Sequence, residues 1–567
     1  MIEKISLNSY WKFATDREDE GRNKGWQASI PAEAEDIWVP SCWNEHREEL
    51  YHYEGVAWYF KKFFFKRGEG IKRNVLFFYG VNYKCEIWLN GRPAGSHTGG
   101  FTPFEIDVTG LLTEDGENLL VLRVDSALND MTSPPLGVDW FNYGGIFREV
   151  YLNGTGEAWL EDITVLTEIS GKVTIRLDIG NFSNGGEYEL ETEIFDACRL
   201  NTVHSSERKL SNPSGAFSVS ISNPRLWSSA DPFMYEFRLV LKRSGAVTDR
   251  WEHKIGIREF SIKDRKIFLN GEPIFLRGYS KHEEYPMHGR TYCKDIVRKD
   301  YEICRQGNAN FARLCHYPHD LREYETASEM GFLVIAEVPN VNFKKEQFLN
   351  SELMDLAVNQ LRETIKYYKN ETCIMFWSLF IECKTYEDAA VDFVPRYIKL
   401  AKELDASRYA IHASDIPEQD RTYEYFDVIG VNYWFGWYAG DSIEGGSALM
   451  DRIAARYPDK PMIMTSGGWE GIYGYHSYRS ATYWSEERQA DYLEKLTEMY
   501  IQKEYIVGEI IWTFNDFRVS PWVVDGKSKW PARPMELNHK GVVDYYRRPK
   551  LSYYRQQEAF RKWDTRR

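Results

Sequence analysis

Glu382 closes a long apolar run. From Ile374 to Ile381 only Ser378 is polar, and the chain turns to carboxylate at the next residue. A run of this length between polar residues suits a strand buried on both faces, as in a parallel sheet. A carboxylate at its end is costly to bury without a purpose, and barrels of alternating strands and helices place their chemistry at the carboxyl ends of strands. Glu382 is therefore the first candidate for proton transfer. Comparable groups follow other apolar segments. Lys281, His282 and Glu283 come after one; Arg313 and His316 mark another, and Glu337 a third. Asn432 precedes an aromatic series of Tyr433, Trp434, Phe435, Trp437 and Tyr438. Glu509 and Trp512 lie on the last segment, followed by Asn515 and Asp516. Polar and aromatic groups converging on one mouth describe a polar ligand pocket with aromatic walls.

The elements that must hold these residues change character along the chain. Residues 1–153 are dominated by short alternating segments, with an Asn-Gly hairpin signal at Asn90 and Gly91, and read as a jelly-roll β-sandwich. Within it, Asp139 stands among aromatics in the Gly-rich stretch DWFNYGG, unusual for a plain connector. Residues 154–257 continue with strands at regular spacing and predict an immunoglobulin-like β-sandwich acting as a packing module. From 258 to 567 strands alternate with amphipathic helices. The predicted strands are 274–278, 310–314, 332–337, 374–379, 409–413, 428–432, 462–465 and 507–514, and eight such strands close a (β/α)8 TIM barrel. Val297, Tyr301 and Cys304 share the inward face of the helix expected after the first strand.

Composition narrows the partners. With 85 acidic and 71 basic residues the net charge is −14, which argues against nucleic acid and anionic membranes. Aromatic residues make up 15% of the chain, including 19 Trp and 37 Tyr; sugar rings stack on such side chains, so carbohydrate is the favoured ligand class. The eight cysteines are scattered without a CxxC pair or a His/Cys cluster at metal-ligand sequence spacing. They read as reduced thiols of a cytoplasmic protein, with no cofactor and no metal expected. The first residues lack the apolar core of a signal peptide, and no run of about 18 apolar residues occurs, so no membrane partner is expected.

Several longer motifs resemble those of glycoside hydrolase family 2, and within it the β-glucuronidases, almost end to end. In the first domain these are GVAWYFKKF, HTGGFTPFEIDVT and DWFNYGGIFREV; in the barrel, FLRGYSKHEE, NFARLCHYPHD, FWSLFIE, NYWFGWY, GEIIWTFNDF and ELNHKGVVDYYRRPK. The resemblance implies that Glu382 is the general acid/base and that Asp139 reaches into the pocket toward sugar hydroxyls. It makes His316 and Trp512 sugar contacts, and Asn538 and Lys540 the pair that grips a uronic acid carboxylate. An ammonium and an amide suit that task, because they give an anion a charge-assisted hold that a neutral sugar does not use. Relatives are often dimers or tetramers, which implies a homo-oligomer.

The resemblance fails at one function. A retaining glycosidase needs two carboxylates about 5–5.5 Å apart, and the family places its nucleophilic glutamate where this chain has Ser466. The family asparagine before the acid/base is here Ile381, and a tyrosine that hydrogen-bonds the nucleophile is here Trp434. Three changes around one function describe a rebuilt pocket and not a single disabling substitution. Three readings stay open. The chain is a β-glycosidase, favouring β-uronides (glucuronide or galacturonide), that uses a substitute carboxylate such as Glu470 or Glu509 or an inverting route. Alternatively it runs a different, non-hydrolytic reaction on a glycoside with Glu382 as acid/base, or it is a carbohydrate-binding pseudo-glycosidase. Ser466 itself would need an adjacent base, for which His476 is the nearest candidate in sequence. The short connection between the third and fourth predicted strands implies a mouth open to large aglycones.

Overall fold

The computed structural model describes all residues except 184, 197–199, 438–441, 479–481, 521–532 and 565–567; Tyr438 and Cys198 lie outside the described residues. The amino-terminal part is a sandwich of a six-stranded and a four-stranded antiparallel sheet. Its strands send one set of side chains inward, where Trp11, Phe13, Trp43, Tyr59, Leu76 and Leu122 form a shared core. The Asn90–Gly91 turn links Lys84–Leu89 to Arg92–Thr98. Both turn residues have positive φ, 54° and 74°, the conformation a two-residue hairpin of this kind demands. A three-stranded and a four-stranded sheet follow as a second sandwich. Lys172–Gly180 and Tyr188–Phe195 alternate buried and solvent-facing residues along their length, the pattern of a sheet with one wet face.

Eight parallel strands then close a barrel, the first pairing with the eighth through Leu276 and Gly508. They are Leu276–Lys281, Phe311–Leu314, Leu333–Glu337, Ile374–Ile381, Tyr409–Ser414, Ile429–Asn432, Met462–Ser466 and Ile506–Ile511. The bounds shift by one or two residues at most strands and further at the first and eighth. The first strand starts later, because Glu272–Ile274 pairs with Lys266–Leu269 in a small sheet that precedes the barrel. The eighth ends at Ile511, since the amides of Trp512, Thr513 and Phe514 go to Gly467, Lys540 and Ser280 carbonyls instead of a ladder. Helix Lys294–Gln306 buries Val297, Tyr301 and Cys304 as its spacing predicted.

The preceding sheet decides which end of the barrel is open. Phe260, Ile267 and Leu269 pack with Leu276, Phe311, Ile335 and Phe376 in one apolar cluster, plugging the amino ends of the strands. The carboxyl ends face the first sandwich instead. Arg148 crosses from it to Glu283 in a fully buried ion pair of 2.8 Å and donates to the Pro318 carbonyl at 2.7 Å. Tyr143 likewise donates to Glu284 at 3.0 Å. Pairs like these are stabilising only when every charge is answered, so they fix the sandwich in one orientation over the mouth. Among the described residues no helix is long and apolar enough to cross a membrane, and Cys42, Cys85, Cys293, Cys304, Cys315, Cys373 and Cys383 are free thiols.

Candidate active site

Glu382 is the first residue beyond the fourth barrel strand and has φ 54°. A non-glycine side chain in this region costs about 1–3 kcal/mol and persists where the surroundings over-determine it. Here the Glu382 amide donates to the Ala413 carbonyl at 2.8 Å and its Oε1 accepts from Asn432 Nδ2 at 3.0 Å. The Asn432 amide cannot turn over, because its Oδ1 accepts from Thr465 Oγ1 at 2.7 Å and from Arg313 Nη1 at 3.4 Å. Sixth and second strands thus aim the acid on the fourth.

Burial pushes the Glu382 carboxyl up to about 7, and the neighbouring Asp415 pushes in the same direction. Asp415 follows the fifth strand, Tyr409–Ser414. Lys384 holds Asp415 Oδ2 at 2.8 Å and lies 3.4 Å from the Glu382 carbonyl. Sequence reasoning missed this carboxylate; the only signal was an aspartate placed directly after a barrel strand. With a pKa near 7 Glu382 is partly protonated at neutral pH, as a general acid requires.

Around it stands a fixed polar and aromatic wall. Glu337 ends the third strand and joins Arg313 Nε at 2.9 Å to His316 Nδ1 at 2.9 Å. Burial would raise the Glu337 carboxyl, but these two partners outweigh it and hold the group at about 2. His316 stacks on Trp512 with centroids 5.0 Å apart and 13° between planes, while Trp140 lies 5.2 Å away. Burial lowers the pKa of His316 and lowers that of His282 further, so both rings are neutral.

Asp139 enters from the first sandwich and meets the carboxyl-terminal loop. Asn538 Nδ2 donates to its Oδ2 at 3.2 Å, and Arg533 Nη2 lies 3.5 Å from the same oxygen. Lys540 Nζ stands 4.7 Å from the Trp437 ring centre and 5.4 Å from that of Trp434, which meets Trp512 edge-on at 6.2 Å. The structure therefore brings Asp139, His316, Trp434, Trp512, Asn538 and Lys540 into one continuous wall. It adds Arg533, which sequence reasoning missed.

Three other candidates are not where the expected chemistry needs them. Glu470 is fully buried and ion-paired with Arg533 and with Lys540, the latter at 3.0 Å, and accepts from Trp484 Nε1 at 2.9 Å. Two cations make it a poor base, and its role is to hold the loop cations in place. Glu509 faces outward from the eighth strand. Its Oε1 accepts from Thr497 Oγ1 at 2.9 Å on an outer helix, so it is no substitute carboxylate. His476 is 62% exposed and paired with Glu487 at 2.8 Å. That leaves Ser466 without it as a base. Ser466 itself is 1% exposed, and its Oγ has no hydrogen-bond partner. Gly468, two residues on, is needed for close approach, since a Cβ there would lie 2.0 Å from the Trp512 carbonyl oxygen.

The outward position of Glu509 has a measurable consequence. Burial raises its pKa from 4.5 to about 8. The folded chain then keeps a proton that the unfolded chain releases, and stability falls as pH rises between about 4.5 and about 8. Glu509→Gln is expected to remove this dependence and to stabilise the protein at pH 8 by a few kcal/mol, because each tenfold difference in proton affinity between the folded and unfolded chains is worth about 1.4 kcal/mol. Thermal unfolding at pH 5 and pH 8 checks it: the variant should gain only at pH 8.

Comparisons with known proteins match the same architecture. Family models described as the glycosyl hydrolases family 2 sugar-binding domain, glycosyl hydrolases family 2, and the glycosyl hydrolases family 2 TIM barrel domain cover residues 4–156, 159–258 and 260–525. A beta-glucuronidase of Paenibacillus borealis is 26% identical, over 96% of this chain and 95% of that protein. The beta-glucuronidase of Mus musculus is 27% identical over 98% and 90%. A solved structure of the β-glucuronidase of Ruminococcus gnavus in complex with C6-substituted uronic isofagomine superposes with a TM-score of 0.88. It is 28% identical, covering 98% of this chain and 97% of that one.

Proposed function

Because the chain belongs to glycoside hydrolase family 2, we propose that it binds β-uronides, glucuronide or galacturonide, and cleaves them slowly by acid assistance without a covalent intermediate. The observation that carries this reading is a complete acid beside a missing partner: Glu382 is aimed, half-buried and partly protonated, while among the described residues Ser466 has no base hydrogen-bonded to its Oγ. Protonation of the glycosidic oxygen by Glu382 would break the bond to the sugar. Water, entering where a glutamate side chain would otherwise stand, would take the anomeric carbon and release its proton to solvent. Among the described residues no base is hydrogen-bonded to Ser466 Oγ, which favours slow turnover and gives the pseudo-glycosidase reading its support.

Uronide preference rests on the loop cations. Glu470 neutralises one charge of the Arg533–Lys540 pair and Asp139 approaches the other. Lys540 Nζ donates to Glu470 Oε1 at 3.0 Å, which fixes the ammonium at this wall. A uronate carboxylate at Asn538 and Lys540 gains charge-assisted hydrogen bonds that a hydroxymethyl group cannot match. Calorimetric titration with a uronic iminosugar and its neutral counterpart tests this. The wild type should prefer the uronic compound, and Lys540→Ala should erase that preference by weakening uronate binding at least about tenfold, or ~1.4 kcal/mol. Undiminished uronate binding by Lys540→Ala would remove the basis for the assignment.

A further inference from the structure

We propose that His282, Cys315 and His316 form a binding site for a zinc-class divalent metal ion beside the sugar mouth. One ligand atom from each residue lies within 4.8 Å of the other two, and all three side chains are buried. No sequence motif announces the set, because His282 follows the first barrel strand whereas Cys315 and His316 follow the second. The two strand ends are tied by the Cys315 amide, which donates to the Lys281 carbonyl at 3.1 Å.

Each imidazole is already held through one ring nitrogen. His282 Nδ1 is held by the Tyr317 hydroxyl at 3.1 Å, and its buried Nε2 has no hydrogen-bond partner. His316 Nδ1 is held by the Glu337 carboxylate at 2.9 Å, which leaves its Nε2 as the second donor. A carboxylate or hydroxyl on one ring nitrogen with the other turned to an ion is the usual outer arrangement of a histidine ligand. The Cys315 thiol is free and buried. Two imidazoles and one thiolate suit zinc, and three protein ligands leave a position for water or a sugar hydroxyl. Bond lengths of about 2.0–2.3 Å require the ligand atoms to draw together by roughly 1 Å, within reach of side-chain rotation. Binding converts the thiol to a thiolate, with the proton released to solvent.

The test uses the full chain, stripped with a chelator and dialysed against Zn2+ or Co2+ alone. Wild type should retain one equivalent of Zn2+, and its Co2+ form should show thiolate-to-metal charge transfer in the near ultraviolet. Cys315→Ser should abolish that absorption and weaken Zn2+ retention at least about 100-fold, whereas Cys293→Ser, at a less buried thiol, should leave both intact. His282→Gln provides a second ligand loss should Cys315→Ser fold poorly, and it too should release the metal. Absence of stoichiometric Zn2+ in the wild type, or an unchanged Co2+ spectrum in folded Cys315→Ser, would overturn the site.

Discussion

The double replacement Ser466→Glu with Trp434→Tyr is expected to raise hydrolysis of aryl β-glucuronides by about 10²–10³-fold over wild type, equivalent to ~3–4 kcal/mol of barrier. The carboxylate supplies a nucleophile at the end of the seventh strand, where Ser466 pairs with Asn432, the residue that holds the acid. The second change is included because Ser466 is 1% exposed, so a longer side chain needs room, and the Trp434 ring lies against Gly468 two residues on. A tyrosine there also returns the hydroxyl that, by family resemblance, hydrogen-bonds the nucleophile. Ile381 still leaves the sugar 2-hydroxyl without its usual amide, so the gain should stop short of an ordinary family member. Two readouts separate restoration from general loosening. Product configuration should be retained, and a 2-fluoro glycoside should leave a stable covalent adduct visible by intact mass. Unaltered turnover in a double variant that still binds uronate would mean that the missing nucleophile is not what limits the wild-type site.

The order of the elements was legible because buried parallel strands read as apolar runs and the sandwich strands as alternation. The residues at strand ends were legible for the same reason, and Glu382, Asn432, Arg313, Glu337 and His316 meet as expected. Side-chain direction was less so. Glu509 looked like a pocket carboxylate because it sits two residues before the end of its strand. The register slips between Met462 and Ile463 on the seventh strand, opposite Ile506 and Gly508, so counting by twos from a neighbouring strand fails to assign its face. His476 is close to Ser466 along the chain, yet the loop carries it to the surface. Asp415 and Arg533 were missed for a different reason. An aspartate after a strand is ordinary turn chemistry until a half-buried carboxyl is found beside it, and an arginine in a distant loop gains meaning only when Asp139 arrives from another domain.

Glu382→Gln is expected to lower turnover of glycosides with poor leaving groups by about 10²–10⁴-fold, and to spare those with activated aryl leaving groups that depart without a proton. That contrast identifies an acid, since a purely structural loss would reduce both. Asp415→Asn gives the complementary measurement. Burial is the larger cause of the raised Glu382 pKa, and the Asp415 charge adds to it. Removing that charge should let Glu382 ionise at lower pH. Activity depends on the protonated form, so the descending limb of kcat/KM should move from about pH 7 toward acid, with the acidic plateau preserved. Lys384 loses its 2.8 Å partner in the same variant and, freed toward Glu382, would lower the Glu382 pKa further, so both electrostatic consequences have one sign. A limb that stays in place in Asp415→Asn would show that desolvation alone sets the acid, and that the fifth strand contributes position but no charge to the chemistry.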